Sequence, residues 1–206
     1  MKSILGSFII SLGIALASPA HASTSERAVS AVLETIGSMT GASAPASAPL
    51  KGEIEIGFSP EGSGLELVLK TIHSARTTID VMAYSFTSAE VTSALRAALK
   101  RGVAVRVVVD QNQNFKGDSR LSAAALSTLQ LAGAQVRTIS VYPSAHDKLI
   151  LVDGKHSQTG SFNYSKAAAT RNSENVLVIW NNTEVAKIFT AHFMRNWKQA
   201  QAFTGR

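Results

Sequence analysis

The segment His146–Ser165, with the sequence HDKLILVDGKHSQTGSFNYS, has the pattern of a β-hairpin. Its dipeptide of Asp153 and Gly154 is typical of two-residue hairpin turns, in which both residues adopt positive φ. The run before this dipeptide, Lys148–Val152, is apolar after its first residue and partly β-branched, as strands usually are. These features predict two antiparallel strands that are joined at Asp153 and Gly154.

A loop of two residues would set the register of this hairpin, with His146 opposite Ser161 and Lys148 opposite Thr159. Because side chains alternate between the two faces of a strand, His146 and Lys148 share one face. Directly opposed residues have Cβ atoms about 5 Å apart, so His146 would lie close to Ser161. Asn163 is two residues past Ser161 and can therefore return to the same face. The spacing therefore predicts an imidazole, an ammonium, a hydroxyl and a carboxamide at one end of the hairpin.

These four groups together suit the hydrolysis of a phosphodiester. An imidazole can attack phosphorus, and the other three groups can donate hydrogen bonds to the non-bridging oxygens, where negative charge builds up. The sequence near the hairpin has no Asp, Glu and His residues with the spacing of a metal site. We therefore expect the positive charge at the site to come from side chains, and we expect no cofactor.

The spacing of six residues in this segment resembles the HKD motif of the phospholipase D superfamily. With one copy of the motif, the chain is most similar to the Nuc-type bacterial endonucleases, over about residues 53–197. Each residue alone is common on protein surfaces, so the joint spacing carries the resemblance. The matching residues are His146, Lys148, Asp153, Gly160, Ser161 and Asn163. Of these, Asp153 and Gly160 are expected to be structural, together with Gly154.

The resemblance implies that His146 attacks phosphorus to form a phosphohistidine, while a second histidine protonates the leaving oxygen. Since the chain has one motif, the resemblance implies a homodimer whose active site lies at the subunit interface, with His146 supplied twice. Lys148, Ser161 and Asn163 of both chains would surround the phosphate. Glu174 matches a glutamate that orients the histidine in the Nuc-type family.

The hydrophobic pattern of the remaining chain alternates between strands and helices. This order predicts the α/β class, with a mixed β-sheet flanked by helices, which is the phospholipase D-like α/β sandwich that the resemblance also implies. Strands are predicted over residues 53–58, 77–84, 103–110, 134–139 and 175–180, and helices over 64–75, 88–100, 121–132 and 184–199. The intervening segments 111–120 and 165–173 are predicted to be loops.

The first residues have the pattern of a secretory signal peptide. A short basic start and an apolar run precede Ala20-His21-Ala22, which predicts cleavage after Ala22. The predicted domains are therefore the signal peptide (1–22), an N-terminal extension and linker (23–50) and the catalytic domain (51–206). We expect a periplasmic or secreted protein without stable membrane insertion; the alternative is an uncleaved N-terminal anchor. The chain has no cysteine, so no disulfide stabilises it.

The chain is basic, with a formal charge of +6 and a pI near 9.8. Removal of the predicted signal peptide leaves 19 basic and 14 acidic residues, a charge of +5. This balance favours a polyanionic partner, either a nucleic acid or an anionic membrane. Lys116, Arg120 and Arg171 lie in the two polar segments and are candidate phosphate-binding residues. His156 and His192 are expected to lie outside the site.

Three classes of function fit these observations. The first is a nuclease that cleaves DNA, and RNA as a further candidate substrate, with little sequence preference. The second is a phospholipase D acting on phosphatidylcholine-type lipids, which would need an apolar rim around the site. The third is a DNA-binding module without activity, which the intact motif argues against. The basic charge and small size favour the nuclease. The sequence leaves the preference for single or double strands open.

Overall fold

The computed structural model of the chain describes residues 53–116 and 120–205. These residues form one eight-stranded mixed sheet with helices on both faces, which confirms the predicted fold class. The strands are β1 (Ile54–Ser59), β2 (Thr78–Ala83), β3 (Ala104–Asp110), β4 (Gln135–Ile139), β5 (Lys148–Val152), β6 (His156–Gly160), β7 (Glu174–Ile179) and β8 (Gln201–Ala202). The helices are α1 (Ser63–His73), α2 (Ala89–Lys100), α3 (Gln111–Phe115), α4 (Arg120–Leu131), α5 (Lys166–Thr170) and α6 (Thr183–Gln199).

The predicted signal peptide and the predicted extension over residues 23–50 lie outside the described residues, so both stay predictions. All four predicted helices and all the strands predicted from the alternating pattern are present, with bounds shifted by a few residues. Two corrections concern the predicted loops. Residues 111–115 form α3, because the Asp110 side chain caps it by accepting from Gln113 N (2.7 Å). Residues 166–170 form α5, which Ser165 caps by accepting from Ala168 N (3.3 Å).

The strand order is β1-β7-β6-β5-β2-β3-β4-β8. The central strands β2, β3 and β4 are parallel, whereas β5, β6, β7 and β1 pair in an antiparallel sense. The carboxyl ends of β1, β2, β3, β4 and β6 therefore meet the amino ends of β5 and β7 at one edge of the sheet. We call this edge the site edge, because Lys148, Gly160 and Glu174 all lie on it.

The two faces of the sheet bury different cores. Helices α1, α2, α4 and α5 cover one face, and their apolar residues pack against the central strands; examples are Val68, Ile72, Leu95, Leu126 and Ala168. Helix α6 covers the other face, where Phe193 and Trp197 pack against Met82, Val108, Leu149 and Leu151. Trp197 is thus a core residue, as its spacing on the helix predicts. Helix α6 leaves part of this second face, on β1 and β7, uncovered.

The predicted register of the hairpin is wrong by one residue. Asp153 and Gly154 form the turn, with φ of 52° and 62°, and Lys155 N donates to Val152 O (3.0 Å). The ladder, however, pairs Val152 with His156, so that Lys155 is left outside it. The reason is that Lys155 O accepts a hydrogen bond from Asn182 N (2.9 Å) just before α6. In a two-residue loop, Lys155 O would accept a hydrogen bond from Val152 N. Here the contact with Asn182, which is remote in sequence, occupies this carbonyl instead.

This shift changes which residues face each other across the hairpin. When the observed register is extended, Lys148 lies opposite Gly160 rather than Thr159. Beyond Gly160 the chain leaves the strand, so Ser161 reaches the site through a bend and not through the ladder. His156 shares a face with Lys148 but lies at the turn end, away from the site edge, where it is buried against Trp180 with ring centroids 4.9 Å apart.

Asp153 fastens the turn of the hairpin to the chain between α1 and β2. Its carboxylate accepts hydrogen bonds from Arg76 N (3.0 Å), Thr77 N (2.8 Å), Thr78 N (2.9 Å) and Thr77 Oγ1 (2.8 Å). These donors outweigh the effect of burial and lower the pKa of Asp153 to about 2. The predicted structural role of Asp153 agrees with these contacts.

We expect Asp153→Asn to lower the free energy of unfolding at pH 7 by about 1–2 kcal/mol, since the amide accepts fewer of these hydrogen bonds. Asn tolerates positive φ, so the backbone is not strained. The folded-state pKa lies below the ordinary 3.8. The stabilisation is therefore complete above about pH 4 and is lost as the pH falls towards 2. Urea unfolding across pH 2–7 tests this, and a difference between the proteins that does not depend on pH would contradict it.

Candidate active site

His146 and Lys148 lie together at the start of β5, as the alternation predicts. Nζ of Lys148 is 3.1 Å from His146 Nδ1 and donates to His146 O (2.8 Å). Lys148 is only 5% exposed, whereas His146 is open to solvent. Burial lowers the pKa of Lys148, and the negative charges of Glu174 and Asp147 oppose this shift. The site therefore combines an accessible imidazole with a cation that is shielded from water.

Tyr84 holds both of these groups, and sequence analysis missed it. Its ring centroid is 4.3 Å from that of His146, at an interplanar angle of 56°, and 5.0 Å from Nζ of Lys148. The cation faces the ring, an arrangement that stabilises a partly desolvated ammonium. Tyr84 N also donates to Asp147 O (2.9 Å). The position of Tyr84 directly after the apolar strand β2 was the one available signal in the sequence.

Ser161 and Glu174 meet across the neighbouring strands. Ser161 Oγ donates to Glu174 Oε2 (2.5 Å) and accepts from Asn175 N (3.1 Å), and Ser161 N donates to Asn175 O (3.1 Å). Asn172 Nδ2 donates to the other Glu174 oxygen (2.9 Å). Glu174 thus contacts Ser161 and acts on Lys148 through its charge. The role predicted for it, orientation of His146, stays a prediction.

Gly160 is required by the close approach of β6 to β7. Its φ is 144°, and a Cβ at this position would lie 2.3 Å from Asn175 O. This contact brings the next residue, Ser161, within hydrogen-bond distance of Asn175 and Glu174. The backbone thus agrees with the predicted structural role of Gly160, because any side chain would push β7 away from the site.

Asn163 lies between two buried aromatic residues, Phe162 and Tyr164. Its amide oxygen Oδ1 is buried, and no residue in the described part of the chain hydrogen-bonds to it. A buried polar atom without a partner is uncommon in a folded protein. Asn163 O accepts from Ser165 N (2.7 Å), which fixes the turn that carries the side chain.

The predicted phosphate-binding residues lie on the loops of the site edge. Lys116 follows α3, Arg120 begins α4 and Arg171 follows α5, and all three are exposed. The hydrogen bonds given above for His146 and Lys148 involve none of them. Their contact with a substrate therefore stays a prediction.

His192, which was predicted to lie outside the site, contacts Asp147, the residue between His146 and Lys148. His192 Nε2 on α6 is 3.0 Å from Asp147 Oδ1, and Arg195 lies 2.9 Å from His192 Nδ1. The hydrogen bond from His192 is the largest cause of the lowered pKa of Asp147. Nothing in the sequence spacing joins α6 to this segment, because they are brought together only by packing of α6 on the sheet.

Residues 53–116 and 120–205 show neither a metal-binding cluster nor a membrane-spanning helix. Within these ranges no group of three or more His, Cys, Asp or Glu residues is placed to hold a metal ion. No helix in the same ranges is long and apolar enough to cross a membrane. The positive charge close to His146 comes from the Lys148 ammonium.

Comparison with known proteins identifies the family. Residues 68–197 match the family described as "Cardiolipin synthase, PLD-like domain". The chain is also 33% identical over 153 residues to a protein of Rickettsia felis named phospholipase D, covering 74% of this chain and 72% of the relative. The chain therefore belongs to the phospholipase D superfamily and is a phosphodiester hydrolase.

Solved structures support the same assignment. The chain is 46% identical to Nuc, a phospholipase D family member from Salmonella typhimurium, with a TM-score of 0.72. This match covers 74% of the present chain and 99% of Nuc. NucT from Helicobacter pylori shares the fold at 21% identity, with a TM-score of 0.65, covering 73% of this chain and 99% of NucT. Human mitochondrial cardiolipin hydrolase is 33% identical over 141 residues, which are 68% of this chain and 54% of the relative.

The position of Tyr84 leads to a prediction about catalysis. Tyr84→Leu removes the ring that contacts His146 and Lys148, and we expect it to lower kcat for phosphodiester hydrolysis by about tenfold or more, since small misplacements of reacting groups are costly. Tyr84→Phe keeps the ring and serves as the matched control, with kcat within about twofold of the wild type. Steady-state kinetics of the three proteins test this. Equal losses in both variants would show that the hydroxyl, not the ring, matters.

Proposed function

We propose that the protein is a metal-independent endonuclease that hydrolyses DNA without sequence preference. The observation that carries this proposal is the 46% identity to Nuc over 99% of that chain, with the Nuc-type motif intact at His146 and Lys148. The basic charge of the chain suits a polyanion, and phosphate contacts bind without selecting sequence. RNA is a second substrate class to be tested.

In the proposed mechanism, His146 attacks phosphorus in line, and the bond between phosphorus and the leaving nucleoside oxygen breaks. The Lys148 ammonium can only donate, so Nδ1 (3.1 Å) accepts from it and the neutral imidazole carries its proton on Nε2. For Nε2 to attack, this proton must pass to Nδ1 and be accepted there by a carboxylate, the role proposed for Glu174. A second, protonated histidine gives its proton to the leaving oxygen. The same histidine then takes a proton from water, whose oxygen attacks phosphorus and breaks the phosphorus–nitrogen bond.

The hydrogen-bond donors of the motif stabilise the charge that develops on the phosphate oxygens. Lys148 supplies a cation that water screens little, because it is nearly fully buried. Asn163 supplies an amide from the adjoining bend. The Ser161 hydroxyl donates its one proton to Glu174 in the free protein and would turn from Glu174 to donate to the phosphate. Glu174 is proposed to orient an imidazole by accepting a hydrogen bond from its proton-bearing nitrogen, which would fix the tautomer and stabilise the imidazolium.

The second histidine is proposed to be His146 of an identical subunit, in a homodimer. A surface that suits such a contact is the apolar stripe on the uncovered face of β1. The stripe consists of Ile54, Ile56 and Phe58, whose exposures are 45%, 55% and 53%. Phe58 pairs with Asn175, the residue that binds Ser161. Phe58 is thus the end of the stripe nearest the site edge. The stripe lies on the α6 face of the sheet, whereas His146 and Lys148 point to the other face, so a two-fold axis that joins two sites would pass beyond Phe58, at the site edge.

The dimer proposal predicts the effect of a charge in the stripe. We expect Ile56→Asp to convert the dimer to a monomer in analytical ultracentrifugation and to lower activity by more than about 100-fold, because each site would lack its second imidazole. Leu131→Asp is the matched control: Leu131 is 91% exposed on α4, and its change should alter neither property. Circular dichroism checks that both variants fold. A fully active Ile56→Asp monomer would contradict the shared site.

A phospholipase D is the second candidate. It is favoured by the names of the Rickettsia relatives and by two exposed apolar residues at the site edge, Leu121 (72%) and Val141 (56%). An apolar rim of this kind would be needed to approach a lipid surface. Because two residues form only a small apolar patch, and because the 46% identity to Nuc supports the nuclease, we propose the nuclease as the first candidate.

The export of the protein is also a proposal. The N-terminal sequence supports a signal peptide that ends at Ala22, which would deliver the chain to the periplasm or the medium. N-terminal sequencing of the protein recovered from the periplasm would test this, with Ser23 expected as the first residue.

The nuclease proposal predicts that the purified protein nicks supercoiled plasmid in EDTA at low salt, whereas His146→Ala does not. Nicking should fall steeply between about 50 and 200 mM salt, because phosphate contacts release counterions. In parallel, both proteins are incubated with vesicles of phosphatidylcholine or cardiolipin. Hydrolysis of lipid without nicking would contradict the nuclease proposal and support a phospholipase D. Nicking by His146→Ala at the wild-type rate would refute the proposed role of His146.

A further inference from the structure

The segment that carries His146 and Lys148 is anchored through the residue between them, Asp147. Its backbone oxygen accepts a hydrogen bond from Tyr84 N (2.9 Å) at the end of β2. Its carboxylate lies 3.0 Å from Nε2 of His192 on α6. Successive side chains of an extended segment point to opposite faces, so Asp147 points towards α6 while its two neighbours point to the other face.

His192 is itself held in one orientation. The Arg195 guanidinium can only donate, and it lies 2.9 Å from His192 Nδ1, so Nδ1 accepts and Nε2 carries the proton that is donated to Asp147. The His192 backbone oxygen accepts from Asn196 Nδ2 (2.9 Å). The adjacent Phe193 is fully buried in the core beneath α6. This turn of α6 is thus a fixed support for the catalytic segment.

We propose that His192 is a positioning residue for catalysis: its hydrogen bond to Asp147 holds the backbone that carries His146 and Lys148 in place. His192 and Asp147 lie on the face away from His146, so neither contacts the phosphate. The inference rests on the proposed role of His146 as the nucleophile. Loss of the hydrogen bond would let the segment shift by a fraction of an ångström, and misplacement of reacting groups slows the chemical step far more than it weakens binding.

A double-mutant cycle tests this proposal with bis(4-nitrophenyl) phosphate as the substrate, so that the outcome does not depend on nuclease activity. We expect His192→Ala to lower kcat about tenfold, with KM within about twofold. Asp147→Ala should lower kcat at least as much, because the Asp147 charge also supports the Lys148 ammonium. The double variant should lose no more than Asp147→Ala alone, because without Asp147 the His192 contact is already absent. His73→Ala, on the exposed surface of α1, is the control and should match the wild type.

Rescue separates positioning from general stability. His192→Gln places an amide N–H within reach of Asp147 and should restore kcat, whereas the shorter side chain in His192→Asn should not. The comparison of His192→Gln with His192→Asn tests the positioning role even if His192→Ala fails to fold. Additive losses in the cycle, or an unchanged kcat in His192→Ala, would overturn the inference. An active His146→Ala protein would instead overturn the proposed mechanism, whatever His192 does.

Discussion

The site depends on how the buried ammonium of Lys148 is stabilised. A cation with so little exposure is costly unless neighbouring groups replace the water it has lost. Here the backbone oxygen and ring of His146, the face of Tyr84 and the negative charges of Glu174 and Asp147 share that task. These groups come from the end of β2, the start of β5 and the start of β7. The need to stabilise one charge thus links three elements of the site edge.

The hairpin can supply this geometry because both of its ends are fixed. At the turn, Asp153 accepts hydrogen bonds from three backbone N–H groups at the start of β2 and just before it. At the open end, Gly160 lets β6 approach Asn175 closely, and Ser161 is bound there. A slip of one residue would break both sets of contacts and move every side chain to the wrong face. Register, and with it the position of Lys148 relative to Glu174, is therefore determined by contacts outside the hairpin.

Local signals in the sequence were sufficient for the hairpin and for the family. The turn at Asp153, the pairing of His146 with Lys148 and the family were all predicted from one segment. The register was not, because Lys155 O is bound by Asn182, a contact that no local pattern reveals. Tyr84 and His192 were missed for the same reason, since they reach the site only when distant elements pack. The loops with α3 and α5 were mispredicted because five-residue helices give too short a periodic signal.

The most direct test of the account is to trap the covalent intermediate on His146. A short DNA oligonucleotide would be mixed with excess enzyme, quenched rapidly in alkali and analysed by mass spectrometry of the peptides. We expect a nucleotide adduct on the peptide that contains His146, at one per dimer, and none in His146→Ala. Product formation without any adduct at the earliest times, together with inversion of configuration at a chiral phosphorothioate, would contradict it.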